Sequence, residues 1–190
     1  MKTVEPPKIT LEGAQVWPMS VAAYRSLGEA GFIPKNSELL YGIIYKKMSK
    51  SPPHSAIVRR LLKLLQAISL PGRFVSSEQP ITCEDSEPEP DISIVRGGEE
   101  DFWDEHPGTA ELVIEVCVTS HEFDRLKLRA YANAMVKECW LVLVPEKKIE
   151  VYRAPVEGQF SEQKTFGPGG RLKCGAVPEF VVELDKLFAK

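Results

Sequence analysis

Two stretches decide how this chain is read: residues 87–95, EPEPDISIV, and residues 111–118, ELVIEVCV. Both are rich in β-branched residues and bounded by Pro, Gly and polar runs, the signature of strands. The second is apolar on both faces, since Leu112, Val113, Ile114, Val116 and Val118 surround Glu115. Such a run belongs in the centre of a sheet. An ionised carboxylate there costs several kcal/mol unless it is paired or coordinates a metal. The nearest acid on a strand is Asp91. By parity Asp91, Ser93 and Val95 share one face, as do Val113, Glu115 and Cys117. If the strands are neighbours, the two carboxylates converge, and two hard oxygen ligands at one point suit Mg²⁺, or Mn²⁺ in its place.

Composition narrows the setting. The chain has 190 residues, enough for one domain with a substantial core. Its net charge of −3 excludes a generally basic nucleic-acid binder but leaves room for a local basic face. Cys83, Cys117, Cys139 and Cys174 form no C-x-x-C pair and read as buried, reduced thiols. No apolar stretch reaches the ~20 residues of a membrane span. The start, MKTVEPPKIT, lacks the apolar region of a signal peptide. The expected compartment is the cytoplasm.

Residues 1–18 carry Pro6, Pro7 and Pro18 without periodicity and read as a loose arm; residues 19–190 read as a single domain. Ser20 caps a helix to about Glu29 whose packing face is Val21, Ala22, Tyr24 and Leu27. SELLYGIIYKKMS, from Ser37, gives two short strands around Gly42. Glu38 opens the first, either as an auxiliary acid of the metal site or as a solvated strand entrance. Lys46, Lys47 and Lys50 form a solvated rim or a basic binding cluster.

Ser51-Pro52-Pro53 precedes a helix from His54 to about Ile68, with a stripe of Ile57, Val58, Leu61, Leu65 and Ile68. Arg59, Arg60 and Lys63 lie opposite, facing water or, in a nucleic-acid enzyme, phosphates. His54, in the first turn, is a local hydrogen-bonder or an auxiliary site residue. Residues 74–77 and 80–83 read as strands. In the loop 96–110, Phe102 and Trp103 dock on the body or on a partner.

Thr119 or Ser120 caps a helix to about Met135. Asp124, Lys127 and Tyr131 share one of its faces. Two readings are open for Asp124 and Lys127: a surface ion pair, worth well under ~1 kcal/mol, or an ammonium delivered to the metal site by a helix that begins where the Glu115 strand ends. CWLVLV and KIEVYRA form a hairpin, FGPGGRLK a turn, and PEFVVELDKLF a short strand with a terminal helical turn.

Pro90-Asp91 with Glu115-Val116-Cys117 resembles the PD-(D/E)XK nuclease superfamily, in which an Asp and a later acid hold magnesium beside a scissile phosphate. SELLYGIIYKKMSKSPPHSAIV, EQPITCEDSEPEPDISIV, LVIEVCVTS, KLRAYANAMVKECWLVLV and IEVYR, in that order, are similar to the Uma-two family of restriction-endonuclease-like proteins. The resemblance runs from about Met19 to Phe188. It implies an α/β (α+β) core, a mixed β-sheet flanked by helices, with an N-terminal β-hairpin. It implies Asp91 and Glu115 as metal ligands and Lys127 as the catalytic lysine, moved to the following helix. The usual lysine position is Cys117 here. Glu38 and Gln79 also match recurrent family positions. Other departures are Ile43, Val118-Thr119, Met135 and Cys139.

The function expected is a Mg-dependent DNA endonuclease that cuts as a homodimer. The rival is a nuclease fold without chemistry, serving as a nucleic-acid-binding or scaffold module; a hydrolase of smaller phosphoesters would use the same site chemistry.

Overall fold

Leu112–Cys117 is buried along its whole length. The computed structural model describes residues 17–119 and 121–189. Most of the expected N-terminal arm (residues 1–16) and Ser120, one of the two expected caps, lie outside the described residues. The central strand is one of six in a sheet ordered β3 (Arg73–Ser76), β4 (Ile92–Arg96), β5 (Leu112–Cys117), β6 (Glu138–Leu143), β7 (Lys148–Val156) and β8 (Gln159–Phe166). Only β5 and β6 run parallel; the other neighbours are antiparallel. A parallel pair needs a crossover, and α3 (His121–Asn133) supplies it.

Both faces of the sheet are covered, which is why β5 and β6 are apolar without alternation. On one face Ile92, Ile94, Ile114, Trp140 and Val142 pack against Ile57, Val58, Leu61 and Leu65 of α2 (Pro52–Gln66). The same layer takes in β9 (Arg171–Lys173), β10 (Val181–Glu183) and α4 (Leu184–Leu187), and Phe180 stacks on Trp140 at 5.2 Å. On the other face Val113, Cys117, Cys139 and Leu141 meet Ala130 and Tyr131 of α3. Burying one such side chain stabilises by about 1.5–3 kcal/mol, whereas strand propensities span only ~1 kcal/mol. Burial therefore fixes these strands at the centre.

The N-terminal hairpin pairs β1 (Ser37–Leu40) with β2 (Ile43–Lys46) around Tyr41-Gly42. Both turn residues have positive φ, 55° and 74°, the mirror-image turn whose twist suits a two-residue connection. A Cβ at position 42 would stand 2.4 Å from that of Pro18, so the turn requires glycine. The Tyr41 hydroxyl donates to the Leu126 carbonyl at 2.5 Å and accepts from the Ala130 N–H at 3.1 Å. This one side chain ties the hairpin to α3.

Other elements depart from expectation. The helix α1 (Val21–Glu29) is capped by Ser20 as its sequence predicts, but none of its residues is buried. Polar contacts hold it instead: the Tyr24 hydroxyl donates to the Ser37 carbonyl at 3.0 Å, and Arg25 pairs with Glu87. Residues 80–83 form no strand, because the N–H groups of Ile81, Thr82 and Cys83 donate to the carbonyls of Pro88, Pro107 and Ser86 in a folded-back loop. β8 lacks an apolar pattern, and most of its residues are exposed. Phe102 packs on Phe74 at 5.6 Å, whereas Trp103 is 88% exposed. No helix among the described residues is long and apolar enough to cross a membrane.

All four cysteines are buried and unpaired. Burial pushes the Cys83 and Cys174 thiols up to about 12. A native sample should therefore leave a chromogenic thiol reagent unreacted until denaturant is added, when all four titrate. A fast-reacting native thiol contradicts this packing.

Candidate active site

Asp91 and Glu115 meet because of strand register. Ser93 pairs with Val113 and Ile92 with Ile114; one step further, Asp91 faces Glu115. At this end the Pro90 carbonyl accepts from the Glu78 N–H at 3.1 Å, and the Val116 N–H donates instead to Asp91 Oδ2 at 2.7 Å. Asp91 Oδ1 lies 2.9 Å from His54 Nε2. His54 stands in the first turn of α2, where Ser51 accepts from the His54 N–H at 3.4 Å.

Glu115 is 3% exposed. Its Oε1 accepts from the Tyr131 hydroxyl at 2.6 Å and lies 3.3 Å from Lys127 Nζ. The Lys127 ammonium is also 3.1 Å from Glu38 Oε2 and stands over the Phe123 ring, 5.5 Å from its centroid. Lys127 and Tyr131 reach the same carboxylate because they are four apart on α3. Glu38 is buried at the β1 strand, not solvated, and Lys127 is buried too, so the surface pair of Asp124 and Lys127 does not form as one.

Four carboxylates, of Glu38, Asp91, Glu115 and Asp124, line the cavity with this ammonium, and Glu38 and Glu115 are the two that pair with it. Burial pushes the Glu115 carboxyl up to about 8; Lys127 opposes this, while Asp124, Asp91 and Glu38 add to it. Asp124 is raised as well, chiefly by burial against the pull of Lys127. For Lys127, burial acts to lower the pKa, but Glu115, Glu38 and Asp124 outweigh it and hold the ammonium above its ordinary range.

All of these groups line one open cavity of about 530 Å³. Of the residues expected from sequence, Asp91, Glu115, Lys127, Glu38 and His54 come together there. Gln79 does not: it is exposed and outside the lining. Among the basic candidates, Lys47 reaches the cavity and pairs with Glu89 at 2.5 Å. Lys50 pairs with Glu78 at the same mouth. Lys46, Arg59 and Lys63 are exposed away from it, and Arg60 donates to the carbonyls of Leu187 and Ala189. Sequence reasoning missed Tyr131 as the partner of Glu115 and Glu38 as the partner of Lys127. The spacing of Lys127 and Tyr131 carried the first; nothing local carried the second.

Residues 33–185 match the Uma2 family model, described as "Putative restriction endonuclease". The chain belongs to the Uma2 family. Among curated proteins no relative matches. A solved structure described as a putative nuclease belonging to DUF820 from Anabaena variabilis is 20% identical, with a TM-score of 0.75 over 90% of this chain and 98% of that one. That likeness establishes the fold of this Uma2 protein as restriction-endonuclease-like, a mixed sheet flanked by helices.

A carboxyl whose folded pKa is raised contributes stability that is complete below its unfolded value and is lost as pH rises through the folded one. For Glu115 the window runs from 4.5 to about 8. In EDTA, the wild type should lose melting temperature across this window. Glu115→Gln, which keeps an acceptor for Tyr131, should lose less and exceed the wild type at the alkaline end by at least ~3 °C. Parallel melting profiles for the two proteins contradict the raised pKa of Glu115.

Proposed function

We propose that this Uma2 chain is a Mg²⁺-dependent endonuclease acting on DNA. The family's description supports a nuclease. The observation that carries the finer reading is the meeting of Asp91 and Glu115 on one sheet face, with the Lys127 ammonium 3.3 Å from Glu115 in the same cavity.

The donor set fits magnesium. Mg²⁺ is commonly held by one or two carboxylates and keeps waters and substrate oxygens for the rest. Asp91 and Glu115 would hold the ion, with the carbonyl of Val116 as a third donor. The chemistry it supplies when bound is polarisation of the scissile phosphate and acidification of a water.

The chain's own groups do the positioning. The Val116 N–H and His54 fix the two oxygens of Asp91, and the Tyr131 hydroxyl fixes Glu115. Such outer contacts orient ligands and tune their basicity. Glu38 aims Lys127, whose ammonium stabilises charge developing on the phosphoryl oxygens. Cys117 cannot supply that charge, so the lysine from α3 compensates for its departure from the superfamily pattern. Cutting both strands calls for two such sites, and a homodimer is the simplest way to present them.

Plasmid incubated with the protein and Mg²⁺ or Mn²⁺ should be nicked or linearised, and EDTA should stop it. Asp91→Asn and Lys127→Ala should each lower the rate by at least ~100-fold, with unchanged circular dichroism. No cleavage by the wild type, or cleavage indifferent to both substitutions, rejects this reading and leaves a binding module as the function of the fold.

A further inference from the structure

The sheet has two edges. β3 is four residues long and half-buried, and Phe102 covers its Phe74. β8 is eight residues long, and six of them are exposed. Among the described residues no strand pairs with its outer side. Every second N–H and C=O along such a strand points away from the sheet and can template another strand. Proteins blunt edges of this kind with proline, a bulge or lysine. β8 contains no proline, and its lysine does not stand alone.

The relevant sequence is Phe160-Ser161-Glu162-Gln163-Lys164-Thr165-Phe166. Glu162 pairs across β7 with Arg153, and Lys164 with Val151, which puts Glu162 and Lys164 on one face. Gln163 points to the other face, where its amide donates to the Tyr152 hydroxyl at 3.1 Å. That hydroxyl donates to Glu150 at 2.7 Å, and Arg125 of α3 grips both Glu150 oxygens at 2.7 Å. The centre of the edge strand is thereby anchored to the body.

We infer that β8 is a self-association edge, and that a second copy adds its own β8 antiparallel about a two-fold axis through Gln163. In that register Glu162 stands opposite the partner's Lys164 and Lys164 opposite the partner's Glu162. Ser161 faces the partner's Thr165, a hydroxyl pair of the kind that stabilises adjacent strands. Slipping the register by two residues one way sets Glu162 against its own copy; slipping the other way does the same to Lys164. Like charges directly opposite are destabilising, so the charge order selects one register. An isologous interface demands this self-complementarity, and the other edge, β3, offers neither the length nor the exposed pattern. The inference gives a surface to the two-copy assembly proposed above, but its test involves no cleavage.

Sedimentation of the wild type should show a dimer whose fraction rises with concentration. Glu162→Lys and Lys164→Glu should each weaken it about tenfold. The double exchange Glu162→Lys with Lys164→Glu should restore it, because the opposite signs again face each other. Gln163→Cys should cross-link to its own copy on mild oxidation, since Cα atoms facing across antiparallel strands are about 4.5–5.5 Å apart, within disulfide reach. A wild type that stays monomeric when concentrated, a dimer indifferent to the single reversals, or a double exchange that fails to restore it overturns the inference.

Discussion

A carboxylate on a strand that is covered on both faces is tolerated only if nearby charge and hydrogen bonds offset its desolvation. Glu115 sets this constraint on the Uma2 protein, and the parts of the fold that surround it answer to it. α3 starts as soon as the strand ends and returns Lys127 and Tyr131 to the same oxygen. The N-terminal hairpin adds Glu38, which gives Lys127 a second partner. The loop before β4 adds Asp91 on the same face. The acids outnumber the one ammonium, and burial holds Glu115 and Asp124 above the usual carboxylate range. Under the nuclease reading a divalent cation binds among them.

Support around the site is stiff where it needs to be. Tyr41 bonds the hairpin turn to α3 at two backbone atoms, so Glu38 and Lys127 are held on elements that cannot drift apart independently. Leu39 and Leu40 on the same strand are fully buried, and Leu39 bridges to Glu87 in the Asp91 loop. The mouth is built differently. Lys47–Glu89 and Lys50–Glu78 are ion pairs between partly exposed side chains, a kind of contact worth little in water and readily exchanged for a phosphate partner. A rigid floor and a labile rim are what the nuclease reading asks of such a site.

Most of the central architecture was legible because its causes are local. Apolar runs without alternation mark β5 and β6, Ser20 marks a helix start, and Gly42 marks the hairpin turn; α2 was expected from His54 but begins at Pro52, with Ser51 as its cap. The elements that escaped were those whose causes are not local. β8 has no apolar periodicity because both its faces meet solvent at the end of the sheet. Residues 80–83 have strand-like composition, but their donors go to carbonyls far along the loop. α1 has apolar residues, none of which is buried.

By itself the sequence determined that an acid lies within a buried strand, that a second acid opens another strand, and that Lys127 and Tyr131 share a helical face. Those statements need only the periods of strand and helix. Tertiary structure decided that β4 pairs beside β5 in the register that makes Asp91 face Glu115, that Glu38 is an inward partner of Lys127, and that Gln79 and Arg60 stand apart from the site. Register and docking depend on how distant segments bury surface together, and no window of the chain contains that information.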